Sequence, residues 1–97
     1  MKKEHAPSNY TDLIDAIYKT SSRDQAQALI FDVLSKAERN DISQRLKVAR
    51  LLNKGFNYDE VKEATHASSA TISRVSKALN GGSGWYRWFC NSHHRGA

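Results

Sequence analysis

The stretch ASSATISRVSKAL, residues 67–79, decides how this chain is read. On a helix turning about 100° per residue, Ile72, Val75 and Leu79 fall within about a 60° arc and form a stripe to be buried. On the opposite side stand Ala70, Ser73, Arg74 and Lys77, spaced i, i+3, i+4, i+7. Small residues early in a helix let it approach a surface closely, and Arg74 and Lys77 then reach base edges or phosphates. Thr71 lies at the flank, where its methyl suits thymine and its hydroxyl a phosphate. Ser68 and Ser69 add hydroxyls and helix N-terminal amides, groups that favour an anion. The plainer alternative is a solvated helix face with ordinary caps, since exposed Arg and Lys are common. The preceding residues and the charge of the chain weigh against it.

Upstream of this helix, Asn57 and Glu60 are spaced as an N-cap pair for a short helix in YDEVKEA, and Ser68 is placed to cap the next one. Only THA, residues 65–67, separates the two, which is the spacing of a helix-turn-helix. His66 sits in that turn, and histidine tolerates the left-handed region better than most non-glycine residues. Further back, Ser35 to Glu38 spells the capping box S-x-x-E and opens a long helix that ends at Gly55. Ile42, Leu46, Ala49 and Leu52 are its expected core face, broadened by Val48 and Leu51. A second helix carries Ala26, Leu29, Ile30, Val33 and Leu34 on one face. A first, capped by Ser8 or Asn9, carries Leu13, Ile14, Ile17 and Tyr18. TSSRD, residues 20–24, interrupts the pattern between them.

The chain has 97 residues, one proline and five glycines, four of the glycines following Asn80. These numbers predict one all-α domain over residues 9–80. A flexible N-terminus, 1–8, precedes it. A Gly-rich joint and aromatic tail, 81–97, follows, in which WYRWF suggests a short sticky helix. The formal charge of +5 points to a polyanionic partner, with nucleic acid ahead of acidic membrane surfaces. The lone cysteine, Cys90, leaves no internal disulfide and fits a reducing compartment. No apolar run is long enough to span a bilayer, and MKKEHAPSNY lacks the apolar core of a secretory signal, so a cytoplasmic location is expected.

ERNDISQRLKVARLLNKG (38–55) followed by ATISRVSKALN (70–80) resembles the Trp repressor superfamily, and within it the YerC/YecD-type Trp-repressor-related proteins. The similarity runs from about Tyr10 to Asn80 and is most specific over Ala70–Asn80. The resemblance implies an intertwined, all-helical homodimer whose two recognition helices face successive major grooves of a palindromic operator in duplex DNA. It also implies a DNA-facing role for Ser68, Ser69, Ala70, Thr71 and Ser73, with Lys62 near the backbone. Asp59 stands where tryptophan-responsive members carry a guanine-reading arginine, so the operator is expected to differ.

Arg45 and Arg74 match the two arginines that sandwich the indole in those members. Val75 and Ala78 do not match: a valine replaces a glycine that gives the ligand room, and an alanine replaces a serine that holds its amino group. The lost hydroxyl is worth about 1–3 kcal/mol. Both changes argue against L-tryptophan as co-repressor, and no cofactor is expected. The aromatic cluster Trp85, Tyr86, Trp88 and Phe89 is then expected to fold over the empty site.

The reading is therefore a sequence-specific transcriptional regulator, a repressor that acts by blocking a promoter, since the chain has no evident activation region. Arg45, Lys47, Arg50 and Lys54 on the long helix add candidate phosphate contacts. A tryptophan-dependent repressor of a trp operon is the alternative. Two others are a sequence-tolerant architectural protein and a helical adaptor that docks a partner through WYRWF. Cys90, His93 and His94 form C-x-x-H-H, but no second ligand pair stands at finger spacing, so no metal site is expected. No phosphate-binding glycine loop and no nucleophile–base pair stands out, which argues against an enzyme.

Overall fold

A computed structural model describes residues 9–92. Six helices follow in order: α1 (Thr11–Lys19), α2 (Arg23–Val33), α3 (Lys36–Asn53), α4 (Tyr58–Thr65), α5 (Ser69–Gly81) and α6 (Trp85–Ser92). No strand occurs among the described residues, and the fold class is all-α as expected. The described residues fall into two compact units that divide within α3, between Arg39 and Asn40.

In the first unit, α1 starts after Tyr10, without a side-chain cap. Of the two residues expected to cap it, Asn9 directly precedes Tyr10, and Ser8 lies outside the described residues. The break between α1 and α2 is built from the hydroxyls of TSSRD. Thr20 Oγ1 donates to the Ala16 carbonyl at 2.8 Å, and Ser22 Oγ accepts the Gln25 amide at 3.1 Å. Leu34 closes α2 in extended conformation rather than continuing its apolar face. Arg39 Nη1 donates to the Leu34 carbonyl at 2.8 Å, and the guanidinium lies 4.4 Å over the Phe31 ring. No residue of α1 or α2 is buried within the chain: Leu13, Ile14 and Ile17 of the α1 stripe are about half exposed.

The second unit holds the core. Val48 and Ala49 of α3, Val61 of α4, Ala67 of the turn, and Ile72 and Val75 of α5 form one cluster, each no more than 1 % exposed. Leu51 and Leu52 pack against it from α3, Tyr86 and Cys90 from α6. Of the face expected for α3, Ala49 and Val48 are buried and Leu51 and Leu52 pack on the cluster, while Ile42 departs from it. Ile42 is exposed, because α4 and α5 cover only the C-terminal half of the helix. The capping boxes form where the spacing predicts them. Glu38 N–H donates to Ser35 Oγ at 3.1 Å and Ser35 N–H to Glu38 Oε1 at 2.8 Å. Asn57 and Glu60 exchange the same pair of bonds at 2.9 Å each. α3 ends at Asn53, and Gly55 just beyond it takes a φ of 99°. The Phe56 amide there reaches back to the Leu51 carbonyl and the Gly55 amide to Leu52, a Schellman closure.

The turn from α4 to α5 is held by three residues. Thr65 Oγ1 donates to the Val61 carbonyl at 2.7 Å and accepts the Ala67 amide at 3.2 Å. His66 adopts the left-handed conformation (φ 61°, ψ 18°), its amide donating to the Lys62 carbonyl. Gln44 Nε2 ties the Thr65 carbonyl to α3 at 3.0 Å. Ser68 then caps α5 by accepting the Thr71 amide at 3.1 Å. At the far end, a Cβ on Gly82 would lie 2.6 Å from the Ala78 carbonyl oxygen, whereas one on Gly81 would meet nothing within 4 Å.

Gly81→Ala should stabilise by about 0.5 kcal/mol through helix propensity, while Gly82→Ala should cost about 1–3 kcal/mol by overpacking. His66→Gly should gain about 0.5–1 kcal/mol, since relief of the left-handed strain exceeds the extra chain entropy of glycine. Urea unfolding of the three variants beside the parent, at one protein concentration, measures all of these.

Candidate nucleic-acid interface

The core fixes which face of α5 points outward. Ile72, Val75 and Leu79 are buried, at 1 %, 1 % and 5 % exposure. Ser68, Ser69, Ala70, Arg74 and Lys77 are consequently exposed, with Thr71 and Ser73 half-buried at the flanks. Ala70, Ser73, Arg74 and Lys77 share one shallow groove that ends at Ala78. Two small side chains at the start of the groove leave the backbone accessible, and two cations stand along it. The Ser68 hydroxyl is engaged in its cap and also lies 3.1 Å from Thr71 Oγ1. The first amides of the helix, at Ser69 and Ala70, have no acceptor within it, and both residues are exposed. Cations beside free N-terminal amides form a surface suited to phosphates. Lys62 is exposed on α4 and does not line this groove.

The four residues that the resemblance assigns to a ligand pocket separate into three places. Arg45 and Ala78 line one cavity of about 390 Å³ together with Ile42, Leu46, Ser83, Trp85 and Tyr86. Arg74 faces the outer groove instead. Val75 belongs to the core and lines neither space. Ala78 touches both, so the cavity and the groove are separated at that point by a single small residue. The volume is that of a small-molecule site, and the lining is apolar apart from Arg45 and Ser83.

The aromatic tail forms α6 and packs against α5. Trp85 and Tyr86 wall the cavity, Trp88 is exposed, and Phe89 lies in a neighbouring groove with Ser43, Leu46, Lys47 and Arg50. Phe89 stacks on Trp85 at 5.1 Å between centroids and takes the Arg50 guanidinium on its ring at 4.9 Å. Arg50 is thus engaged by an aromatic face. Lys47 lines a polar groove with Gln44, Thr65 and His66. Burial pushes the Cys90 thiol above its ordinary value, with Arg50 and Arg87 opposing, so it stays protonated at neutral pH.

One set of contacts was not legible in the sequence. Arg87 of α6 donates from Nη1 to Asn53 Oδ1 at 2.6 Å and from Nη2 to Asn80 Oδ1 at 2.7 Å. Its partners are 34 and 7 residues away and lie on other helices, Asn53 on α3 and Asn80 on α5, so no period within one element connects them. His93 and His94 of the C-x-x-H-H run lie outside the described residues. Among the described residues no three His, Cys, Asp or Glu side chains gather as a metal site, and no helix is long and apolar enough to cross a membrane.

With this geometry in hand, similarity to known proteins can be placed. Residues 8–94 match the family described as Trp repressor protein. The chain is 35 % identical over 74 residues to YerC of Bacillus subtilis strain 168, itself uncharacterised, covering 76 % of this chain and 71 % of that protein. A crystal structure from Staphylococcus aureus, provisionally assigned as a Trp repressor, superposes with a TM-score of 0.78. It is 31 % identical to this chain, with 95 % of this chain and 93 % of that one covered. The expected resemblance therefore holds over nearly the whole sequence, and the chain belongs to the Trp repressor family of DNA-binding regulators.

Proposed function

We propose that this protein is a sequence-specific transcriptional repressor that binds a palindromic operator as a homodimer, in the cytoplasm, without free tryptophan as co-repressor. The observation that carries the reading is the outward face of α5. Ala70, Ser73, Arg74 and Lys77 line one groove on a helix whose other side is locked into the core. A helix held this way can enter a major groove with its N-terminus leading. Ser68, Ser69 and Thr71 then sit near the backbone, Ser73 near base edges, and Arg74 and Lys77 near bases or phosphates. Lys62, outside the groove, would add a backbone contact from α4.

The dimer is supported by the first unit. Leu13, Ile14, Ile17 and Tyr18 of α1 and Phe31 and Val33 of α2 are between 47 % and 87 % exposed in the single chain. Apolar stripes of this extent call for a covering partner, and a second copy would bury them.

Independence from tryptophan is supported by Ala78, which lines the cavity and offers no hydroxyl to a ligand amine, and by Arg74, which faces the outer groove and leaves Arg45 as the one arginine on the cavity wall. One observation favours a second reading, the tryptophan-dependent repressor. Arg45 stands on the wall of an apolar cavity large enough for an indole.

Selection from a random duplex-DNA pool at physiological salt, with and without L-tryptophan, separates the two. The proposal expects the same palindrome in both arms. Enrichment only with tryptophan supports the second reading, and none in either arm refutes DNA regulation. Lys77→Ala should weaken operator and random duplex alike. It should also reduce the slope of log K against log salt by about 1, as expected for one lost phosphate contact. An unchanged slope would remove Lys77 from the interface.

A further inference from the structure

We infer that Arg87 is a positioning residue: with Asn53 and Asn80 it forms a clamp that sets the direction of the recognition helix from within the chain. This deepens the DNA-binding reading above and rests on it. Asn53 is the last residue of α3 and Asn80 the penultimate residue of α5. The two Oδ1 atoms receive the two ends of one guanidinium, at 2.6 and 2.7 Å.

Each asparagine is turned to present its oxygen by a bond from its own Nδ2. That of Asn53 donates to Asn91 Oδ1 at 3.2 Å, and that of Asn80 to the Ser76 carbonyl at 3.0 Å. Asn91 is one turn beyond Arg87 on α6, so α6 grips the end of α3 at two points and the end of α5 at one. Bonds from a charged, planar donor fork are the strong and directional ones, and lysine cannot reproduce the fork.

The chain path brings the clamp together. The segment Gly82–Ser83–Gly84 reverses direction after α5, with Gly84 at φ of 99° and Gly82 too close to the Ala78 carbonyl for a side chain. α6 is then anchored by Tyr86 and Cys90 against the core, which leaves Arg87 between the ends of α3 and α5. The cavity lined by Arg45, Ala78, Trp85 and Tyr86 is built from these same three helices. Arg87 contributes to operator recognition without touching DNA.

The test compares the full chain with Arg87→Gln and Arg87→Lys in three readouts. The first is affinity for the selected operator against random duplex. Both variants should lose about tenfold on the operator and much less on random DNA. The second is the salt slope, which should be unchanged in Arg87→Gln because no phosphate contact is lost. The third needs no DNA: amide exchange at Gly82, whose N–H donates to the Ala78 carbonyl at 3.0 Å. It should quicken about tenfold in both variants, while the Val61 amide, bonded to the Asn57 carbonyl at 3.0 Å, should not change.

Unaltered operator affinity in Arg87→Gln overturns the inference. So does a salt slope reduced by about 1, which would make Arg87 a phosphate contact. Equal acceleration at Val61 would reduce it to a general stabiliser and overturn it as well. If the parent chain binds no duplex, the DNA reading fails on its own. Gly82 exchange then still decides the clamp, standing if it quickens and falling if it does not.

Discussion

Burial of Ile72 and Val75 against Val48, Ala49 and Val61 is the constraint on which the rest of the second unit depends. These five side chains leave α5 one permitted rotation. A helix with a fixed inner face has a fixed outer face, so Ala70, Ser73, Arg74 and Lys77 share a groove as a consequence of packing. Ala49 matters as much as the larger residues, because a small side chain lets α4, the turn and α5 close onto α3. Ala67, at 1 % exposure, does the same inside the turn. His66 supplies the left-handed residue that the tight reversal requires, at the cost of some strain.

Local features were readable from the sequence because their causes are local. Three capping arrangements, at Ser35, Asn57 and Ser68, depend on residues three apart and formed as expected. The buried stripe of α5 was equally legible from its period. The register of α3 was less so. Ile42 and Val48 both fit an apolar stripe, and which is covered depends on where α4 and α5 cross, a tertiary matter.

The site divides in the same way. The exposed face of α5 was in the periodicity, but the fate of Val75 and Arg74 was not. The resemblance places both beside a ligand, whereas the packing puts Val75 in the core and Arg74 in the outer groove. Of the aromatic cluster expected over the ligand site, Trp85 and Tyr86 line the cavity, whereas Trp88 is exposed and Phe89 lies in the neighbouring groove. Arg87 had no such signal. Its partners are set by the reversal at Gly82–Gly84, and no spacing rule connects Arg87 to Asn53. Polar contacts between distant helices are where sequence reading runs out here. They are also where the geometry of the recognition helix is set.

The most direct test of the account is to titrate duplex operator DNA into isotopically labelled full-length protein and follow backbone amide shifts. The largest shifts should fall on Ser68–Ser73 and extend through Arg74 and Lys77, with those of α6 small. Shifts concentrated on Trp85 and Trp88, with α5 silent, would contradict the claim that the outward face of α5 reads DNA.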